Sequence, residues 1–212
     1  MKQKNHLFAA SGWLCAFVLW TAALCFVDVR PVGPEGSLVG FAGLNVLVHR
    51  LTGVHWGLYQ ITDWLGLIPL AVVLGFALTG LCQWLRRKKL SRVDGGILAL
   101  GGAYLAVMGL YVLFEILVIN YRPVLIQGVL EASYPSSTTV LSLCVMVSAG
   151  IRLHRSIPNR ALGKLACALC WGFAVFLVLA RALSGVHWFS DILGGILLSA
   201  AVVEGYLFVT DR

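Results

Sequence analysis

The sequence predicts an all-α, polytopic membrane protein: six transmembrane helices in a bundle, with an outer-face amphipathic or re-entrant segment. Three observations predict it. Hydrophobic residues make up 59% of the chain and charged residues only 12%, where a soluble domain would be about a quarter charged. The mean hydropathy is +0.89. Six apolar runs of roughly 17–24 residues are each long enough to cross a bilayer. They fall near 7–27, 64–85, 96–119, 136–152, 163–183 and 188–209, and residues 1–212 are read as one domain.

The first run is too long for the core of a cleavable signal peptide and lacks a clear small-residue cleavage site, so it is counted as a span. Residues 28–63 follow as the longest non-spanning stretch. "VRPVGPEG" carries two Pro and two Gly and reads as a surface loop. The next stretch, up to Trp64, is apolar but interrupted by Asn45, His49, Arg50, His55 and Asp63. That pattern suits a helix lying on or dipping into the outer face, and Trp56, Tyr59 and Trp64 suit the interface. The second span ends in "RRKK" and the third carries Glu115. The fourth is the weakest, because it opens with "SSTT". The fifth ends at Arg181, and the sixth opens with His187 and Asp191.

Orientation follows from Lys and Arg. Six spans place the termini and the loops 86–95 and 153–162 on one side, which holds twelve of the sixteen Lys and Arg; only Arg30, Arg50, Arg122 and Arg181 fall on the other. The richer side is expected to be cytoplasmic. The chain is thus expected in a bacterial plasma membrane, termini inside, with the bilayer itself as a partner. The net charge of +7 is read as topology signal and not as a nucleic-acid patch. The six Cys all fall in the spans, and the Cys167–Cys170 pair reads as small packing residues. A short echo links "TGVHW" at 52–56 with "SGVHW" at 184–188. It raises the expectation that His55 lines the same cavity as His187.

Ionisable residues deep in a span are costly and by default mark a functional site. His187 and Asp191 are four apart, so they share one helix face. A carboxylate there can fix the imidazole tautomer and leave the other nitrogen free as a nucleophile or base. Arg181 ends the preceding span, Arg122 follows the third, and Ser136 and Ser137 open the fourth, whose first turn presents unpaired N–H groups. Three interhelical ends on the outer face can therefore surround one phosphate, with two guanidinium forks to hold it.

With these residues in place, the chain resembles the type 2 phosphatidic acid phosphatase family, whose fold is shared with vanadium haloperoxidases. Its motifs are KxxxxxxRP, PSGH and SRxxxxxHxxxD. Here they read "EILVINYRP" at 115–123, "PSST" at 135–138 and "ARALSGVHWFSD" at 180–191. The resemblance implies that His187 attacks phosphorus and becomes a phosphohistidine, and that Asp191 orients it. Arg122, Arg181, Ser136 and the Ser137 backbone hold the phosphoryl group, and neither metal nor cofactor is needed. The expected partner is a phosphorylated lipid substrate; no nucleic acid is expected, and the oligomeric state stays open.

Two departures stand out. Glu115 replaces the family Lys, and Thr138 replaces the family His that protonates the leaving oxygen. A threonine supplies that proton poorly, and Glu131 or a protonated Glu115 are the substitutes within the sequence. An alkoxide leaves with difficulty, its conjugate acid having a pKa near about 15.7, whereas a phosphate monoester has a second pKa of about 6. The reading therefore leans towards a membrane lipid phosphatase acting on polyprenyl diphosphates on the extracytoplasmic side. The alternatives are a lipid phosphotransferase and a non-catalytic protein that binds or transports lipid phosphates.

Overall fold

The computed structural model describes residues 2–211 as an all-helical bundle. Among the described residues, six helices are long and apolar enough to cross a membrane: Lys2–Phe26, Trp56–Arg87, Gly95–Ile116, Ser137–Ser156, Arg160–Leu183 and Phe189–Thr210. The helices are α1 (Lys2–Phe26), α2 (Ala42–Thr52), α3 (Trp56–Leu65), α4 (Leu67–Arg87), α5 (Gly95–Ile116), α6 (Ser137–Ser142), α7 (Ser148–Ser156), α8 (Arg160–Leu183) and α9 (Phe189–Thr210). Side-chain caps start two of the spans. Asp94 accepts from Gly96 N at 2.8 Å before α5, and Asn159 accepts from Ala161 N and Leu162 N before α8. Each satisfies N–H groups that a first turn leaves orphaned.

Two expectations need correction. The outer-face segment is not one helix. Gly53, at φ +68°, ends α2, and α3 then runs through Gly66 into α4, so the second span begins near 56 rather than 64. Gly66 keeps helical angles (φ −61°, ψ −17°), which is why an apolar run that a surface helix would share with the bilayer continues unbroken. The fourth span, weakest by hydropathy, is the most buried of the six. Its Ser and Thr are satisfied inside the bundle: Ser142 Oγ donates to Thr139 O, and Ser148 Oγ donates to Cys144 O. A π-helical turn at Leu143–Val147 joins α6 to α7.

The first and last helices pair along their length. Gln3 Nε2 donates to Phe208 O, His6 Nδ1 meets Glu204 Oε2 at 2.7 Å, and Trp20 Nε1 donates to Ser190 O. Phe17, Leu24, Val107, Tyr134, Val140, Cys144 and Leu198 form a buried cluster between α1, α5, α6 and α9. Gly194 lets Tyr134 lie against α9, since a Cβ there would come within 2.4 Å of the ring. Ion pairs gather at the end where α5 begins and α7 and α9 finish: Arg152 with Asp94 and Arg155 with Asp211, each at 2.6 Å.

Candidate active site

The site forms at the other end, where α5 gives way to the loop 117–136 and α8 turns into α9. Loop 184–188 is held by backbone. Gly185 sits at φ +69°, and a Cβ there would meet Gly53 O at 1.8 Å. His55 N also donates to Ser184 O at 2.9 Å. The two GVHW stretches thus pack on one another, and the tight turn aims His187 inward, where it is 5% exposed.

Arg122 Nη1 lies 3.2 Å from His187 Nε2. A guanidinium only donates, so Nε2 accepts and the ring proton sits on Nδ1. Nδ1 faces Asp191 Oδ2 at 3.6 Å, beyond hydrogen-bond length. The direct bond expected from the four-residue spacing is therefore absent. The carboxylate is held elsewhere: Oδ1 accepts from Asn120 Nδ2 at 3.2 Å and Oδ2 from Trp188 N at 2.9 Å. It remains close enough to stabilise positive charge on the ring electrostatically. Burial, then the guanidinium groups of Arg122 and Arg181, push the His187 imidazole well below its usual pKa. The resting ring is neutral, with a lone pair on Nε2.

Loop 117–136 carries Arg122 on a hairpin-like pairing. Arg122 N donates to Glu131 O, and Ser133 N donates to Asn120 O. The same pairing brings the Glu131 carboxylate to 3.0 Å from Arg122 Nε. Glu131 is thus the counter-ion of Arg122, a poor arrangement for a proton donor. Arg181 is buried and turned towards α3. Its Nη1 donates to Thr62 Oγ1 at 3.1 Å, and its guanidinium stacks 4.8 Å from the Tyr59 ring centre.

Tyr111, Glu115, Arg122, Ser137 and His187 line one pocket of about 20 Å³. A single water needs about 10–15 Å³, so the pocket with Arg122 against Nε2 is too small for a phosphoryl group. The structure brings Glu115, Ser137, Arg122 and His187 together, and not every candidate joins them. Ser136 is buried behind the pocket: its N–H donates to Asp191 O and its Oγ accepts from Thr139 Oγ1. Thr138 does not line the pocket. The expectation for His55 is corrected: its ring is exposed and bonded to Thr52 O at 2.8 Å, because residue 55 starts α3 rather than facing the cavity. A larger cavity of about 590 Å³ lies at the opposite end. Its arginines, Arg152 and Arg155, are already committed to Asp94 and Asp211.

Sequence reasoning missed the residues behind the site. Asn45 and Asn120 are almost fully buried. Asn45 exchanges hydrogen bonds with Ser190, its Nδ2 donating to Oγ and its Oδ1 accepting from Ser190 N. Asn120 Oδ1 accepts from Gly40 N while its amide reaches Asp191. Tyr59 is read from sequence only as an interface residue, and Thr62 is not singled out at all. The available signal was an Asn within otherwise apolar sequence, since a buried amide is expensive unless every group finds a partner.

The family model of the PAP2 superfamily matches residues 97–210. Among solved structures, the chain is similar to the crystal structure of the first transmembrane PAP2 type phosphatidylglycerolphosphate phosphatase from Bacillus subtilis. The TM-score is 0.68 at 15% identity, covering 96% of this chain and 95% of that one. No curated protein matches the chain.

Proposed function

Since the chain belongs to the PAP2 superfamily, we propose that it is a membrane lipid phosphatase whose nucleophile is His187. The observation that carries this reading is the 3.2 Å contact between Arg122 Nη1 and His187 Nε2. It keeps the lone pair of a neutral imidazole on the pocket side and sets an anion-binding fork beside it.

Arriving phosphate draws the Arg122 guanidinium from Nε2 onto its own oxygens. Nε2 then attacks phosphorus, the N–P bond forms, and the bond to the leaving oxygen breaks with its electron pair. Positive charge that develops on the ring is stabilised by Asp191 facing Nδ1. Arg122 and Ser137 hold the equatorial oxygens, the positioning and charge stabilisation that phosphoryl transfer chiefly needs. Water then cleaves the phosphohistidine and releases orthophosphate.

The absence of Thr138 from the pocket, and the commitment of Glu131 to Arg122, leave the leaving oxygen without an evident strong acid. A lipid diphosphate expels a phosphate monoester and tolerates this better than a lipid monophosphate does. The reading therefore keeps its lean towards polyprenyl diphosphates. The excess of Lys and Arg at the opposite end supports an extracytoplasmic site.

The test offers purified protein a polyprenyl diphosphate and a phosphatidate-type monoester, with and without Mg²⁺. Phosphate release from the diphosphate that vanishes in His187→Ala, with an acid-labile phosphoryl label on the wild type alone, supports the proposal. Equal inertness of wild type and His187→Ala on both lipids refutes it.

A further inference from the structure

One wall of the pocket has the wrong sign for phosphate. Glu115 lines it beside Arg122, Ser137 and His187, and it has no ion-pair partner among the described residues. Of the positive groups nearby, Arg122 is paired with Glu131 at 3.0 Å, while Arg181 is turned to Thr62, the Tyr59 ring and, at 3.9 Å, the exposed Asp63, and neither reaches Glu115 as an ion pair. A phosphoryl group reaching Nε2 meets, on that wall, a carboxylate with no cation paired to it. Tyr111 lies one turn before Glu115 on α5 and lines the same wall. A carboxylate and an aromatic ring side by side form a surface that attracts cations.

An anion fork and a cation-attracting wall in one pocket match a ligand that carries both signs close together. We infer that Glu115, with Tyr111, is a specificity-determining residue that receives a cation which the substrate holds against its phosphate. Two carriers share this chemistry: an ammonium group on an aminoalkyl phosphate headgroup, and a divalent metal ion chelated by a diphosphate. The inference rests on the pocket being the phosphate site proposed above, and it concerns what selects the substrate, not the attacking atom.

Binding tests it without turnover. Wild type, Glu115→Gln and Glu115→Lys, each in a His187→Ala background and alone, are titrated with methyl phosphate, aminoethyl phosphate, and methyl diphosphate with Mg²⁺ or with EDTA. Wild type should favour a cation-bearing ligand over methyl phosphate by about three- to thirtyfold, the sum of an exposed ion pair and a cation–π contact. Glu115→Gln should level that preference, and Glu115→Lys should reverse it by tightening methyl phosphate. Preference for aminoethyl phosphate identifies the ammonium carrier. Tighter binding of the diphosphate with Mg²⁺ than with EDTA, lost in Glu115→Gln, identifies the metal carrier. The inference is overturned if both variants change all ligands by one common factor, if they change none, or if wild type does not distinguish the ligands. It is overturned too if Glu115→Gln leaves every affinity unchanged but lowers turnover of the monoester alone, as loss of a proton donor would. Failure of the His187 proposal reads out separately, as binding that survives with no phosphate release and no covalent label.

Discussion

Asn120→Ala is the substitution that most directly tests how Asp191 is aimed. Asn120 is 1% exposed, and its amide donates to Asp191 Oδ1 at 3.2 Å and to Ser190 Oγ at 3.4 Å. A hydrogen bond to a charged acceptor is worth about 1.5–3 kcal/mol. If that energy holds the carboxylate in line with Nδ1, its loss lowers kcat by about ten- to 150-fold, at about 1.4 kcal/mol per decade. KM should change little, because Asn120 lies behind the pocket and does not line it. Asn120→Asp separates shape from donor. It keeps the outline but sets a second carboxylate 3.2 Å from the first, a repulsion of about 5 kcal/mol at an effective dielectric of 20. It should therefore be at least as damaging as alanine. The assay is phosphate release under saturating lipid diphosphate, with a thermal melt of each variant in the same detergent. A folded Asn120→Ala with kcat within threefold of wild type, or a fully active Asn120→Asp, would refute the reasoning.

Other outcomes follow from the same geometry. Gly185→Ala forces a Cβ into a left-handed turn, costing about 1–2 kcal/mol, and into Gly53 O besides; the melt should fall by several degrees and activity should fall with it. Glu131→Gln removes an ion pair whose carboxylate side is 41% exposed. Such pairs are worth about 0.2–1 kcal/mol, so kcat/KM should move by less than about fivefold; a loss of about 10²–10⁴ would instead mark Glu131 as the acid. The His187 value is lowered in the fold, so its ring stays neutral as pH falls past 6.5. The acid limb of kcat/KM should lie well below 6.5. Any stability change from this residue is a loss that begins below the unfolded value near 6.5 and is complete at the folded one, because the unfolded chain binds the proton first. His187→Gln should flatten that part of the stability profile.

The spans were legible because the bilayer demands long apolar runs, and five of the six lie close to where hydropathy places them. The break between α2 and α3 was not, because it depends on one glycine at positive φ, while Gly57 and Gly66 stay helical. Glu115 entered the site only through the first motif of the resemblance, whereas Arg122, Ser137 and His187 could be grouped from their places at three span ends, together with Arg181 and Ser136, which lie off the pocket. Their depth could not: the 3.6 Å gap between His187 and Asp191 arises because Asn120 and the Trp188 N–H hold the carboxylate first. Asn45 meets Ser190 across 145 residues of chain, and no local pattern encodes such a contact. His55 misled for the opposite reason. Its four-residue echo of the later stretch is a packing contact between two turns, with different duties for the two imidazoles.

The pairing of α1 with α9 has a consequence for biosynthesis. α1 finds its main neighbour only once the chain has been made through α9, and Trp20 cannot reach Ser190 O before then. Until then α1 has only its smaller contacts, such as Phe17 against Phe114 of α5 and Trp20 against Phe41. Nascent chains arrested before residue 189 would hold five inserted segments yet lack the helix that carries Asp191, so the proposed site stays incomplete until α9 has been made.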